Sequence, residues 1–442
     1  MSDSGFARWT VLFIVATAMM MGYFVNDVMS PLEAMLEMPR SQGGLGWSPT
    51  DYGFFSGAGS FINVFLLMLF FSGIILDKMG VRFTGVLSCS LMMAGTLIKF
   101  YAVSTAPEGE WFGMPASVVM AALGFAIFGV GYEMTGITVS KAIVRWFTGH
   151  EMALAMGLQL AMARLGTAAA LSISAPIARH FTLSAPLLLA TGLLIIGLLA
   201  FLVFCVMDRR MDGVLGANAV PEASDEEFRW SDIGVTLRSP GFWLITLFCV
   251  LFYSAVSPFL KFSTKLMVMK YGVDADLAGF FSSIAPFGTI LLTPLFGLFY
   301  DRHGRGVTLV ITGALLLAAV HFGFAMPVSD DLGATGPTVA IALMTALSIA
   351  YSLAPAALWP CVPKIIPLKC LGTACSMIFF IQNFGRAVIP MFVGHANETD
   401  PTYTTSMLIF GFTALGAAAV AFAMLVADRR KGYGLQQPNI SR

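Results

Sequence analysis

Runs of apolar residues, each long enough to cross the roughly 30 Å hydrocarbon core of a bilayer as a helix of about 20 residues, return along the whole chain. Twelve are read, over residues 9–38, 52–76, 83–103, 114–144, 152–178, 183–207, 241–271, 275–300, 307–326, 338–366, 371–395 and 403–427. Composition points the same way. Of 442 residues 57% are hydrophobic and 11% charged, whereas a soluble domain carries about 25% charged residues. Such a chain cannot build a solvated surface, so lipid is its main solvent. Lys+Arg and Asp+Glu both number 25, and without a basic excess nucleic acid is excluded as a partner. The first run has no small-residue cleavage site behind a short apolar core, and it reads as a retained helix.

Basic residues set the orientation. With both termini cytoplasmic, that side holds Arg8, Lys78, Arg82, Arg145, Arg209, Arg210, Arg302, Arg305, Lys364 and Arg429 to Lys431, against little beyond Arg40, Arg179 and Lys270 opposite. The longest polar stretch, residues 208–239, divides the chain into a six-helix bundle over 1–207, a cytoplasmic linker, and a second six-helix bundle over 240–442. The acidic cluster Glu222, Asp225, Glu226 and Glu227 reads as part of that solvated linker.

The halves repeat each other. Gly73, Asp77-Lys78 and Gly80 with Arg82 follow the second run, and Gly297, Asp301-Arg302 and Gly304 with Arg305 follow the eighth, at an offset of 224. Tyr132, Arg145 and Gly166 match Tyr351, Lys364 and Gly385 at an offset of 219. Two six-helix copies, each carrying GxxxD(R/K)xG after its second helix, resemble the major facilitator superfamily over essentially the full chain. The resemblance implies an all-α membrane protein of twelve transmembrane helices in two pseudo-symmetric six-helix bundles. The motif places a carboxylate at a helix end, where it can face the positive N-terminus of another helix. Asp77, Lys78 and Arg82 in one half, and Asp301, Arg302 and Arg305 in the other, are the gating candidates.

Ionisable residues at mid-bilayer are costly and normally line a cavity or meet a partner. Glu133 lies thirteen residues before Trp146, about 20 Å along a helix. Arg164 lies fifteen residues after Gly149, about 22 Å. The fourth run travels inward and the fifth outward, so the two charges reach matching depth on neighbouring helices. They suit a solute site or a structural ion pair. Arg386 is as deep in the eleventh run, and Asp27 and Lys261 are further candidates, Asp27 also as the cap of a break before Pro31. Lys265 is expected to snorkel toward the outer interface. Pro31 and Pro258 fall in the corresponding first and seventh runs, where broken helices would act as gates.

Longer segments narrow the resemblance: GVGYEMTG from Gly129, GLQLAMARLG from Gly157, AYSLAPAALWP from Ala350 and LGTACSMIFFIQNFG from Leu371, with YFVND in the first run and FYSAVSPF in the seventh. Together they resemble the branch of the animal lysosomal dipeptide uniporters. That resemblance implies that Glu133 takes the amino end and Arg164 the carboxyl end of a dipeptide. A zwitterion needs one anion and one cation about its own length apart, and such a pair discriminates against singly charged solutes. Tyr132, Tyr351, Trp359, Gln382 and Asn383, with Met134, Met162 and Met377, are expected to shape the wall. The chain departs from the animal pattern at Arg386, where an apolar residue is expected. No lysosomal sorting signal is evident, so a prokaryotic inner membrane is the expected location. The sequon at Asn397 would face outward.

Other chemistries find no residues. GxxxxGK(S/T), HExxH and GxSxG do not occur. The cysteines Cys89, Cys205, Cys249, Cys361, Cys370 and Cys375 have neither CxxC nor paired-loop spacing and read as packed free thiols, and the five histidines do not cluster. No cofactor, metal or enzymatic activity is expected. The function that follows is secondary transport of a small zwitterion, foremost a dipeptide, by alternating access, with the protein as a monomer. If Arg164 holds Glu133 throughout, uniport follows; if the two separate, proton coupling opens. A carrier of small organic or inorganic anions, using Arg164 and Arg386, is the alternative, and a membrane solute sensor is a third.

Overall fold

The computed structural model describes residues 5–66, 68–147, 150–215, 234, 236–327, 335–366 and 371–438. The acidic cluster of the expected linker and the side chain of Asp77 lie outside the described residues. In chain order the helices are α1 (Gly5–Asp27), α2 (Glu33–Glu37), α3 (Pro49–Ala58), α4 (Phe61–Phe65), α5 (Met68–Thr105), α6 (Ala116–Phe147), α7 (Met152–His180), α8 (Ala185–Leu215), α9 (Pro240–Tyr271), α10 (Ala275–His303), α11 (Gly306–Ala325), α12 (Gly336–Ile365), α13 (Leu371–Thr399) and α14 (Thr404–Lys431). A two-stranded hairpin, β1 (Glu110–Trp111) and β2 (Met114–Pro115), joins α5 to α6.

The chain forms two compact units. One comprises Met1–Trp47 and Ala58–Glu227, the other Ser48–Gly57 and Phe228–Arg442. Among the described residues eleven helices are long and apolar enough to cross a membrane. The second expected run is built instead from α3, α4 and the start of α5, which bends at Gly80 (φ 77°). The break between α3 and α4 falls where Gly59 is pressed on α6. A Cβ on Gly59 would stand 2.9 Å from the Phe125 ring, and one on Gly129 only 1.8 Å from the Gly59 carbonyl. Asn63 fixes α4 there by donating to the Gly129 carbonyl at 3.0 Å. Backbone contact therefore decides this region, and apolar run length alone does not reveal it.

In the first unit α1 packs on α7 and α8, and α5 on α6. In the second, α9 packs on α13 and α14, α10 on α12, and α11 on α12 and α14. The two expected gating prolines differ. Pro31 is buried in a short 3₁₀ turn just past the end of α1, whereas α9 runs unbroken through buried Pro258. Lys265 departs from expectation as well. It is buried, 8% exposed, because α9 is wrapped by α10, α13 and α14.

Candidate functional site

In the first unit the polar residues gather where α1 stops short. Asp27, the last residue of α1, is buried, and its carboxylate accepts from Thr167 Oγ1 of α7 at 2.8 Å and from Asn26 Nδ2 at 2.9 Å. Close helix approach makes this possible, since a Cβ on Gly166 would lie 2.2 Å from the Met20 carbonyl. Arg164 is three residues before Thr167 and so on the same side of α7. Tyr132 of α6 packs its ring 5.0 Å from Tyr23 and 5.8 Å from Phe128.

Gln159 sets the register of the antiparallel neighbours α6 and α7, donating to Ser140 Oγ at 3.5 Å and to Met19 Sδ at 3.1 Å. Counted along both helices from that contact, Glu133 and Arg164 stand within two residues of equal height, about 3 Å at 1.5 Å per residue. Both are half-buried. Gln159 itself is buried, and its Oε1 has no hydrogen-bond partner among the described residues.

In the second unit Trp359 of α12 donates to Tyr253 OH of α9 at 3.1 Å and lies 5.2 Å from the Phe379 ring of α13. This places Trp359 where three helices meet. Asn383 is buried and donates to the Phe379 carbonyl at 2.9 Å, a bond within its own helix. Gln382 is buried with Oε1 unpartnered among the described residues. Tyr351 is buried, while Arg386 and Lys261 are half-buried. The Lys261 carbonyl accepts from Tyr52 OH at 3.0 Å, within the same unit.

The gating candidates spread over two helix-end clusters. In the first unit α8 continues past the expected span end through Leu215, so Asp208 and Asp212 are helical. Arg82 meets Asp212 at 2.6 Å and Asp208 at 3.3 Å, and Arg145 pairs with both carboxylates. Trp146 Nε1 adds a 3.0 Å bond to Asp208, whose side chain is fully buried. Lys78 is exposed, at the bend of α5. In the second unit Arg305 (φ 62°) is exposed, and its N–H donates to the Gln436 carbonyl at 2.8 Å. Arg302 is exposed and Asp301 half-buried. Lys364, the counterpart of Arg145, donates to Tyr300 OH at 3.0 Å and to the carbonyls of Gly434 and Gln437 at 3.2 and 2.9 Å.

Three features escape a reading of the sequence that ranks charges by depth. Lys99 of α5 is 1% exposed. Its Nζ donates to the Val25 carbonyl at 3.2 Å and lies 4.7 and 4.6 Å from the Phe125 and Phe128 rings. Thr167 and Asn26, which hold Asp27, carry no charge to draw notice. Asp208 and Asp428 share a pattern that does, V-x-D-R-R at 206–210 and again at 426–430, an offset of 220.

Two bundles of membrane-crossing helices with polar groups held inside define a multi-pass membrane carrier, and the family model described as Major Facilitator Superfamily matches residues 12–390. The chain belongs to that superfamily, and it is a transporter and not an enzyme. The lysosomal dipeptide transporter MFSD1 of Bos taurus is 26% identical over 378 residues, covering 83% of this chain and 76% of that one. Among solved structures, a D-xylose-proton symporter aligns with a TM-score of 0.69 at 15% identity, covering 94% and 97% of the two chains. A POT family transporter in complex with a thioalcohol-conjugated peptide aligns at 0.68 and 16%, covering 95% and 96%. A sugar carrier and a peptide carrier fit the fold equally well, so the fold leaves the substrate to the side chains.

Proposed function

We propose that this transporter moves a small zwitterionic solute, foremost a dipeptide, by alternating access. The observation that carries the reading is the placing of one acid and one base, Glu133 and Arg164, at nearly equal height on the neighbouring helices α6 and α7. In it Arg164 takes the carboxylate, Glu133 the ammonium group, and Asp27 a second polar contact at the end of α1. Gln159 and Gln382 each bring a buried amide oxygen unpartnered among the described residues. A buried acceptor left unmade costs about 1–3 kcal/mol, and a peptide N–H or a water arriving with the solute would satisfy Gln159 beside the acid and base of its own unit. Tyr132, Tyr351, Trp359, Asn383, Lys261 and Arg386 complete the proposed wall. The similarity to MFSD1 supports the dipeptide in particular. Residues 1–207 and 240–442 are the two moving bundles in this reading, with a bacterial inner membrane as location, both termini cytoplasmic and the monomer as working form. Asp77, Lys78 and Arg82, Asp301, Arg302 and Arg305, and Pro31 and Pro258, are the proposed gating positions.

A thermal-shift series on purified protein tests the site with dipeptides, free amino acids, dicarboxylates and nitrate, repeated on Glu133→Gln and Arg164→Ala. Dipeptides are expected to raise the unfolding temperature of the parent and of neither variant. Stabilisation by anions alone, unchanged in Glu133→Gln, would overturn the zwitterion reading in favour of an anion carrier. Proteoliposome uptake with and without a pH gradient then separates uniport from proton coupling.

A further inference from the structure

The hairpin between α5 and α6 carries a backbone oddity. Trp111 pairs with Met114 across β1 and β2, which leaves Phe112 and Gly113 as a two-residue turn with φ of 57° and 77°. Positive φ at both positions is the mark of a type I′ turn, whose first position favours asparagine, aspartate or glycine. A bulky aromatic residue is a true outlier there, because its Cβ crowds the backbone. Phe112 gains nothing inside the chain in return, being 93% exposed. An observed outlier of this kind is an argument for function.

The surroundings name the partner. Trp111, 46% exposed, forms one wall of a groove of about 620 Å³ with Leu97, Tyr101, Met120 and Leu123 on α5 and α6, and among the described residues no charged one lines it. Both helices are membrane-crossing, so the groove continues their lipid-facing surface. The hairpin stands at the ends of these spans, remote along both helices from Arg82 and Arg145. That is the headgroup level, where tryptophan and tyrosine concentrate. Strand alternation turns exposed Glu110 to the face opposite Trp111.

We propose that the 110–115 hairpin is a membrane anchor. Phe112 and Trp111 insert at the boundary of headgroups and acyl chains, and a lipid acyl chain occupies the groove beside them. Lipid contact at the tip offsets the strain that the turn imposes on Phe112. The anchor fixes the ends of α5 and α6 in the leaflet and is independent of what the protein carries.

The test places a nitroxide at the tip through Phe112→Cys in proteoliposomes, with an identically treated parent to subtract labelling of native cysteines. Collision with oxygen, concentrated in lipid, is expected to exceed collision with a water-soluble nickel chelate several-fold. Dominant nickel collision would put the tip in water and overturn the proposal. Suppression of both would place a second copy or another protein over the tip, which also overturns it. A second measurement spares the label: brominated-lipid quenching of the Trp111 signal, taken as the difference between each protein and its Trp111→Phe form. Quenching is expected to survive Phe112→Leu and to fall in Phe112→Asn, which suits the turn but not the lipid. Equal quenching in both variants counts against insertion.

Discussion

Lys99→Met tests whether a cation sealed in the first unit is held by balance or by need. The ammonium group donates to the Val25 carbonyl and faces two phenyl rings at 4.6 and 4.7 Å. Val25 lies in the last turn of α1, where carbonyls lack partners within the helix. A hydrogen bond from a charged group contributes about 1.5–3 kcal/mol, and each aromatic face about 0.5–2 kcal/mol. Against this gain of about 2.5–7 kcal/mol stands a desolvation cost of several kcal/mol for the ion. The sums nearly cancel. Methionine fills similar space without charge, so Lys99→Met is expected to unfold within about 1 kcal/mol of the parent, as buried ion replacements often do. Lys99→Ala leaves a void and is expected to cost about 2–4 kcal/mol. Denaturant or thermal unfolding in one detergent measures both. A loss above about 3 kcal/mol in Lys99→Met would refute the balance. Uptake is expected to diverge from stability: the lysine holds the carbonyl end of α1 two residues before Asp27, so Lys99→Met should transport poorly while folding well. Unimpaired uptake would reduce Lys99 to packing.

Gly166→Ala is expected to push α7 off α1, since the new Cβ would meet the Met20 carbonyl at 2.2 Å; a net loss of about 1–3 kcal/mol in unfolding is expected, and an unchanged midpoint would contradict the close contact. Ending the chain after Lys431 removes the carbonyls that hold Lys364 and the buried Leu435; a loss of about 2–4 kcal/mol is expected, measured as lowered thermal stability. Asp400, which accepts from the hydroxyls and N–H groups of Thr402 and Thr405, is held well below the usual carboxylate range, above all by its bond from the Thr402 hydroxyl. Its contribution is complete above about pH 4, the unfolded value, and is lost as pH falls through the lower folded value. Asp400→Asn is therefore expected to cost up to about 1 kcal/mol at pH 7 at this half-buried, solvent-screened site, and the gap to the parent should close progressively below pH 4, read by unfolding at stepped pH.

How much was legible in the sequence depended on whether a residue's role lay in its own chemistry or in its neighbour's. Apolar run length reveals helices because lipid demands it, and it located eleven of them closely. It failed over α3 and α4, where glycine contacts with other helices set the course. Glu133 and Arg164 were legible because charge in a membrane is conspicuous and one short turn fixes their relative height. Lys99 is no less charged, but it lies near the end of a run, where depth counting treats a lysine as interfacial; only the packed structure shows it 1% exposed. Thr167 and Asn26 act through Asp27 and have no mark of their own.

The internal repeat shows that matched positions need not be matched interactions. Arg145 and Lys364 stand 219 residues apart, and the V-x-D-R-R ends of α8 and α14 stand 220 apart. In the first unit the helix runs on, and Asp212 joins Asp208 in holding Arg145 and Arg82. In the second, the residue corresponding to Asp212 is Gly432, whose φ of 67° ends α14 and turns the chain back. Asp428 then caps the returning tail by accepting from Leu435 N–H at 3.0 Å, and tail carbonyls take Lys364. Carboxylates neutralise a cation and lose strength as salt screens them where the pair is open to water. Carbonyls fix its position while leaving its charge in place. The first cluster, whose arginine side chains are 29% and 35% exposed, should therefore loosen with ionic strength, whereas the second should depend on the tail itself. A helix that continues and a helix that stops thus give the cations at matched positions, Arg145 and Lys364, two different kinds of hold.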